Sequence, residues 1–272
     1  MTILALDTSA KAASAAVIRF DEHAASSGMD NASASAAQKE GFGHIFLPQH
    51  TAILAEGAVN VGLTHSQTIL PMCDAILRSA QMTLDDIDGF AVSAGPGSFT
   101  GVRIGISAVK GMAVVGDKPV AGISTLEAIA YNLLGFEGIA CAVMDARRQQ
   151  VYNALFRLSG TDSIERLSPD RAILIDQLGE ELKNFPSPIF LVGDGADLCY
   201  TVLSEFDGIR QKLRLAPLPL RLARAVSVGL AALPVFAEGR AVHANELLPA
   251  YLRLPQAERE RLAQEKAAKK GE

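Results

Sequence analysis

Twice along this chain an apolar run ends in an aspartate, a small residue and a polar turn, and a second extended run follows. The first instance is ILALDTS…ASAAVI and the second is CAVMDAR…VYNALF, with Asp7 and Asp145 standing 138 positions apart. A faint internal duplication of this kind restricts the chain to two related α/β lobes. Each lobe opens on two antiparallel strands around a small turn. The 272 residues suit two lobes, since domains usually hold about 100–200 residues.

Composition then limits the function classes. Apolar residues make up 49% and charged residues 20%, enough for a proper core. The 25 Lys+Arg against 30 Asp+Glu leave a net charge of −5. That argues against a protein that grips nucleic acid alone, because neutralising phosphates needs a basic surface. Tryptophan is absent, which removes the best platform for stacking bases. Cys73, Cys141 and Cys199 are far apart and each sits among apolar residues. They read as reduced core thiols of a cytoplasmic protein, without a disulfide framework or a zinc half-site. Asp7 interrupts the only early apolar run, and no run approaches the roughly 18 residues of a membrane span.

Between the repeated openings the chain alternates strand and helix patterns. Residues 24–38 hold ten Ala or Ser and almost no large apolar side chains. They predict a flexible inserted loop, part of a longer insert over about 21–60, in which Thr51–Glu56 resumes the sheet. Ser66–Gln81 carries a broad apolar face at helical spacing, interrupted by Pro71. Phe90–Ala94 is a buried strand, and Gly95-Pro96-Gly97-Ser98 turns it into a helix reaching Val115. A link over 116–122 divides an N-terminal lobe, 1–115, from a C-terminal lobe, 116–254. In the second lobe Ile189–Val192 runs into Gly193-Asp194-Gly195, and a long apolar helix over 221–238 is expected to pack back on the first lobe. Residues 255–272 read as a charged, solvated tail.

Several places could carry chemistry. An aspartate after a strand is a good turn former, but the duplicated pair suggests the remnant of a nucleotide cleft. Its residues would be Asp7, Thr8, Ser9, Asp145, Gly193 and Gly195. The GPGSFTG run at 95–101 matches neither the Rossmann fingerprint nor the Walker A loop, which needs a lysine. The helix after it bears Gly101, Gly105, Ala108 and Gly111. Each interior glycine costs about 1 kcal/mol, so another backbone must come very close, either inside the core or on a partner. His23, His44, His50 and His65 have no helical ligand spacing, and the His-x-x-x-His that would hold a metal from His65 meets Ile69 instead. No acid, base and nucleophile can be assembled.

The segments ILALDTSAKAASAAVI, HSQTILPMCDAIL, SAGPGSFTGVRIGISAVKGMA, GISTLEAIA, MDARRQQVYNALF and LPAYLR, in this order, resemble the bacterial TsaB (YeaZ) family. The resemblance covers most of 1–157 and returns near 247–253, departing at the Ala/Ser-rich insert. It implies a two-lobed actin-like, sugar-kinase-like and Hsp70-like (ASKHA) fold with mixed sheets flanked by helices. It further implies a role in making N6-threonylcarbamoyladenosine at position 37 of tRNAs that read ANN codons. In that pathway TsaC forms threonylcarbamoyl-AMP and the paralogue TsaD transfers the carbamoyl group. TsaD-like proteins hold a metal with His-x-x-x-His, so this chain is expected to hold no metal and to serve as a non-catalytic partner of TsaD, joined by the ATPase TsaE. It would reach tRNA only through that complex. ATP or ADP would bind weakly. Leu70, Cys73, Leu77, Gly101, Gly105 and Ala108 are expected to face the partner, and to pair with a second copy when the chain is alone. A phosphotransferase or ATPase using Asp7 and Asp145 around Mg-ATP is the alternative. An inactive protease-like factor is a third class, although the older glycoprotease label fits none of these residues.

Overall fold

A computed structural model describes residues 1–20, 51–61, 64–160 and 163–253. Of the insert expected over about 21–60, the Ala/Ser-rich 24–38 stretch lies outside the described residues, as does the tail at 255–272; Thr51–Val59 is a strand paired with Ala13–Phe20, so the flexible reading does not extend to it. The first half runs β1 (Thr2–Asp7), β2 (Ala13–Phe20), β3 (Thr51–Val59), α1 (His65–Ser79), β4 (Gly89–Gly95), α2 (Phe99–Val115), β5 (Val120–Ser124) and α3 (Thr125–Tyr131). The second runs β6 (Glu137–Asp145), β7 (Gln150–Ser159), β8 (Ile164–Arg166), β9 (Arg171–Leu174), α4 (Ile175–Leu182), β10 (Ile189–Val192), α5 (Ala196–Leu203), β11 (Leu213–Leu215) and α6 (Ala225–Ala237).

The two halves repeat one topology. The first sheet has the order β3-β2-β1-β4-β5, and the second has β8-β7-β6-β10-β11 with β9 also on β7. In each, the opening strand is antiparallel to its successor and parallel to the strand after the next helix. Asp7 and Asp145 end the two opening strands, opposite Ser14 and Val151. This is the two-lobed actin-like, sugar-kinase-like architecture.

Layering explains why β1 is apolar from Ile3 to Leu6. Every residue of Thr2–Asp7 is buried, because helices cover both faces of the sheet. Leu4 and Leu6 pack with Ile69, Cys73 and Val109 of α1 and α2 in one core. Ile3 and Ala5 face the other way, into a core shared with α3, α6 and residues of the second sheet such as Ala142 and Phe156. Helix α6 packs on β1, β2, β4 and β5 of the first sheet and also against α3. A helix sandwiched in this way has no solvated side, which is why Ala225–Ala237 is apolar nearly all round. No helix among the described residues is long and apolar enough to cross a membrane.

The division expected after residue 115 falls one strand early. Val120–Ser124 pairs in parallel with β4, Phe90 opposite Val120, and so closes the edge of the first sheet. Pro119 and Gly122 give the stretch turn chemistry, and tertiary pairing overrides it. Helix α1 begins at His65 and contains Pro71, whose missing N–H falls on the exposed side of the helix.

Candidate functional site

The turn between β1 and β2 is locked beneath α2. Asp7, Thr8 and Ser9 are fully buried. Thr8 Oγ1 donates to the Gly101 carbonyl at 2.8 Å, and the Ser98 N–H donates to the Ser9 carbonyl at 2.7 Å. Ser98 caps α2, its Oγ accepting from the Gly101 N–H at 3.2 Å. A Cβ on Gly101 would stand 2.1 Å from the Thr8 carbonyl oxygen, and one on Gly105 would stand 2.4 Å from Thr8 Oγ1. The backbone that these glycines admit is therefore the chain's own β1–β2 turn.

Asp7 Oδ1 accepts from the Ser9 N–H at 2.9 Å, while Oδ2 has no hydrogen-bond partner among the described residues. Burial pushes this carboxyl above its ordinary value, and Ser9, Ser93 and His65 offset that only in part. A raised folded value means that the stabilising contribution belongs to acid pH. It is full below the unfolded value and lost as pH rises through the folded one. At neutral pH an ionised Asp7 thus costs stability. Asp7→Asn is expected to raise the melting temperature at pH 7 by about 2–4 °C, and the gain should vanish below the ordinary value of 3.8. Melting curves at both pH values check this, and a lower melting temperature at pH 7 would contradict it.

Between the lobes lies a cleft of about 480 Å³, with Ser9, Lys11, Asp145, Arg147, Asp194 and Arg253 among its lining residues. Asp145 Oδ1 accepts from the Arg147 N–H at 2.7 Å, and Oδ2 lies 3.4 Å from Arg147 Nη1. The Asp145 N–H donates to Asp194 Oδ1 at 3.2 Å. Burial, then the neighbouring Asp145 and Asp7 charges, push the Asp194 carboxyl up against the opposing Asp145 N–H and Lys11. Of the residues expected in a nucleotide cleft, only Ser9 and Asp145 line it. Asp7 and Thr8 are buried behind it. The Gly193 N–H donates to the Arg221 carbonyl and the Gly195 N–H to the Val143 carbonyl, so both amides are already used by backbone. Asp194, Lys11 and Arg253 were not legible as cleft residues, because nothing local marks them.

A second, shallower groove of about 520 Å³ runs between α1 and α2. Leu70, Phe99, Arg103, Ile104, Ser107 and Ala108 line it, over Ile69. The structure divides the six residues expected to face a partner. Leu70 is 50% exposed and Ala108 is partly exposed, but Cys73 and Leu77 lie at 3% and 6% within the core. Burial pushes the Cys73 thiol up to about 12. Gly101 and Gly105 are covered by Thr8. The reason is angular: the apolar stripe of α1 is wider than the sheet needs, so its middle packs inward and only its margin reaches solvent. At the head of α1, His65 Nε2 lies 2.7 Å from the Ala10 carbonyl oxygen, and Ile69 is 1% exposed. Among the described residues no group of three or more His, Cys, Asp or Glu is placed to hold a metal.

This duplicated fold, with an apolar residue at the position after His65 that would complete a metal pair, can be set beside known proteins. Residues 60–260 match the family model described as TsaD, tRNA N6-adenosine threonylcarbamoyltransferase. A Bacillus subtilis protein named tRNA threonylcarbamoyladenosine biosynthesis protein TsaB is 30% identical over 218 residues, spanning 79% of this chain and 90% of that relative. The chain belongs to the TsaB family, within the wider family that the TsaD model describes. The Escherichia coli protein of the same name is 31% identical over 209 residues, covering 74% of this chain and 88% of that TsaB. A Pseudomonas aeruginosa crystal structure, described as an uncharacterized protein with similarity to peptidase YEAZ, superposes with a TM-score of 0.67 at 25% identity. It covers 93% of this chain and 99% of that one. The TsaB resemblance read from the residue segments therefore extends across both lobes.

Proposed function

We propose that this TsaB-family chain is the non-catalytic partner of a TsaD-type paralogue in the synthesis of N6-threonylcarbamoyladenosine at adenosine 37 of tRNAs reading ANN codons. One observation carries the reading. The groove between α1 and α2 is apolar, open and edged by small residues, while the position that would complete a metal-binding His-x-x-x-His is Ile69. Such a surface suits helices of a second protein packing at short range. The names of the curated TsaB relatives supply the pathway. In this reading a TsaE-type ATPase joins the pair, tRNA is met only through the assembly, and the free chain uses the same face to pair with a second copy around a two-fold axis. Reconstitution with TsaD, TsaE and TsaC, with and without this chain, tests it by the yield of modified adenosine. Equal yields would overturn the reading.

The phosphotransferase alternative finds little support in the cleft. Thr8 is buried and the amides of Gly193 and Gly195 are taken by carbonyls. The isolated chain is accordingly expected to bind Mg-ATP with a dissociation constant weaker than about 1 μM. Titration calorimetry measures this directly, and tight binding with turnover would revive the alternative.

A further inference from the structure

The segment after α6 crosses from one lobe to the other. Leu247 is buried against the first lobe, and the Ala250 N–H donates to the Ala94 carbonyl at the end of β4, at 2.7 Å. The approach is so close that a Cβ on Gly95, whose φ is +121°, would stand 2.3 Å from the Ala250 carbonyl oxygen. The Tyr251 ring then stacks on Phe99 of α2 with centroids 4.9 Å apart. Arg103 lies against both rings, 3.9 Å from the Phe99 centroid and 5.7 Å from that of Tyr251, and its Nε donates to the Tyr251 hydroxyl at 2.7 Å. Two residues later the strap reaches the second lobe, where Arg253 Nη1 donates to the Ala146 carbonyl at 2.9 Å.

We propose that Leu247–Arg253 is a latch holding the lobes closed over the cleft, and that its catch, Tyr251 on Phe99 and Arg103, couples cleft closure to occupation of the α1/α2 groove. The coupling rests on the docking reading given above; the latch does not. Phe99 lines both the cleft and the groove, so one side chain forms the wall between them. Arg103 projects into the groove and spends Nε on Tyr251, and its Nη groups make no hydrogen bond among the described residues. A carboxylate of a docked protein would meet those two donors and hold the guanidinium in the plane that grips Tyr251. Docking would then tighten the latch, a contact made in one state and loosened in the other.

Hydrogen exchange at the Ala250 amide reads the latch in the full chain. Tyr251→Ala should speed that exchange about ten-fold or more, while the amides of the β1–β4 ladder keep their native rates and report an intact fold. Tyr251→Phe, which keeps the ring and loses the hydroxyl, should fall between. Spin labels at Arg78→Cys and Gln177→Cys, one on each lobe, should show a longer and broader separation with Tyr251→Ala; the native cysteines are buried and would not label. Unchanged exchange and separation in Tyr251→Ala would overturn the latch. With a saturating TsaD-type partner, Ala250 exchange should slow further in the native chain and not in Tyr251→Phe. A partner that binds and leaves it unchanged would overturn the coupling. A partner that fails to bind the native chain would overturn the docking reading instead, and the exchange of the isolated chain would still decide the latch.

Discussion

Gly101→Ala should lower the stability of this chain by about 3 kcal/mol, near the top of the range for overpacking a core. A single methyl is enough because its carbon would sit 2.1 Å from the Thr8 carbonyl oxygen, and the obstacle is backbone, which cannot swing aside. To admit it, either α2 must lift from the sheet or the β1–β2 turn must move, and that turn is tied by the Thr8 hydroxyl and the Ser98 N–H. Gly111 is the control. It lies on the exposed side of the same helix, and among the described residues nothing stands within 4 Å of an added Cβ. Gly111→Ala should therefore stabilise by about 0.5–1 kcal/mol through helix propensity alone. Denaturant unfolding of the two variants measures both effects. Similar stabilities would mean that α2 can shift cheaply and that the glycine register is not set by Thr8.

Leu70→Arg should leave the fold intact and weaken binding to a TsaD-type partner by about 100-fold or more, because a charge left unpaired in an interface core costs several kcal/mol. Leu70 is half exposed beside the groove, so the guanidinium can stay in water until the partner arrives. Cys73→Arg, one turn further along α1, should behave differently. Cys73 is 3% exposed and packs with the β1 core, so a charge there has no route to water and the variant should unfold or aggregate. Circular dichroism followed by calorimetry with the partner separates the cases. A folded Leu70→Arg chain that binds with native affinity would place the docking surface elsewhere.

Parts of the fold were readable because they are local or periodic. The β1–β2 pair, the buried β4 and the helical face of α1 each follow from apolar spacing within one window. The duplication was visible in two aspartates and their flanking runs. It then appeared as two sheets with the same strand order, since strand pairing follows chain order and crossover handedness once the elements are given. Short elements were missed. β5 and β11 are brief edge strands flanked by Pro, Gly or charged residues, and only pairing with β4 and β10 makes them strands. The catch was missed for another reason: Arg103 and Tyr251 lie 148 positions apart, and neither residue type announces a contact across that distance.

The residues alone therefore settled the family, the two-lobe plan and the need for a backbone to pass close to some of the glycines of α2. Each of these is carried by identity or periodicity along the chain. They left open whether that backbone belonged to this chain or to a partner, and which part of a wide apolar stripe would face water. Those choices depend on where the β1–β2 turn lands after α2 packs on the sheet, and spacing within a helix contains no information about distance to another element. Thr8 came to rest against Gly101 and Gly105. That contact claimed the glycines and the core beneath β1 claimed Cys73, so only the margin of the two helices was left for another protein.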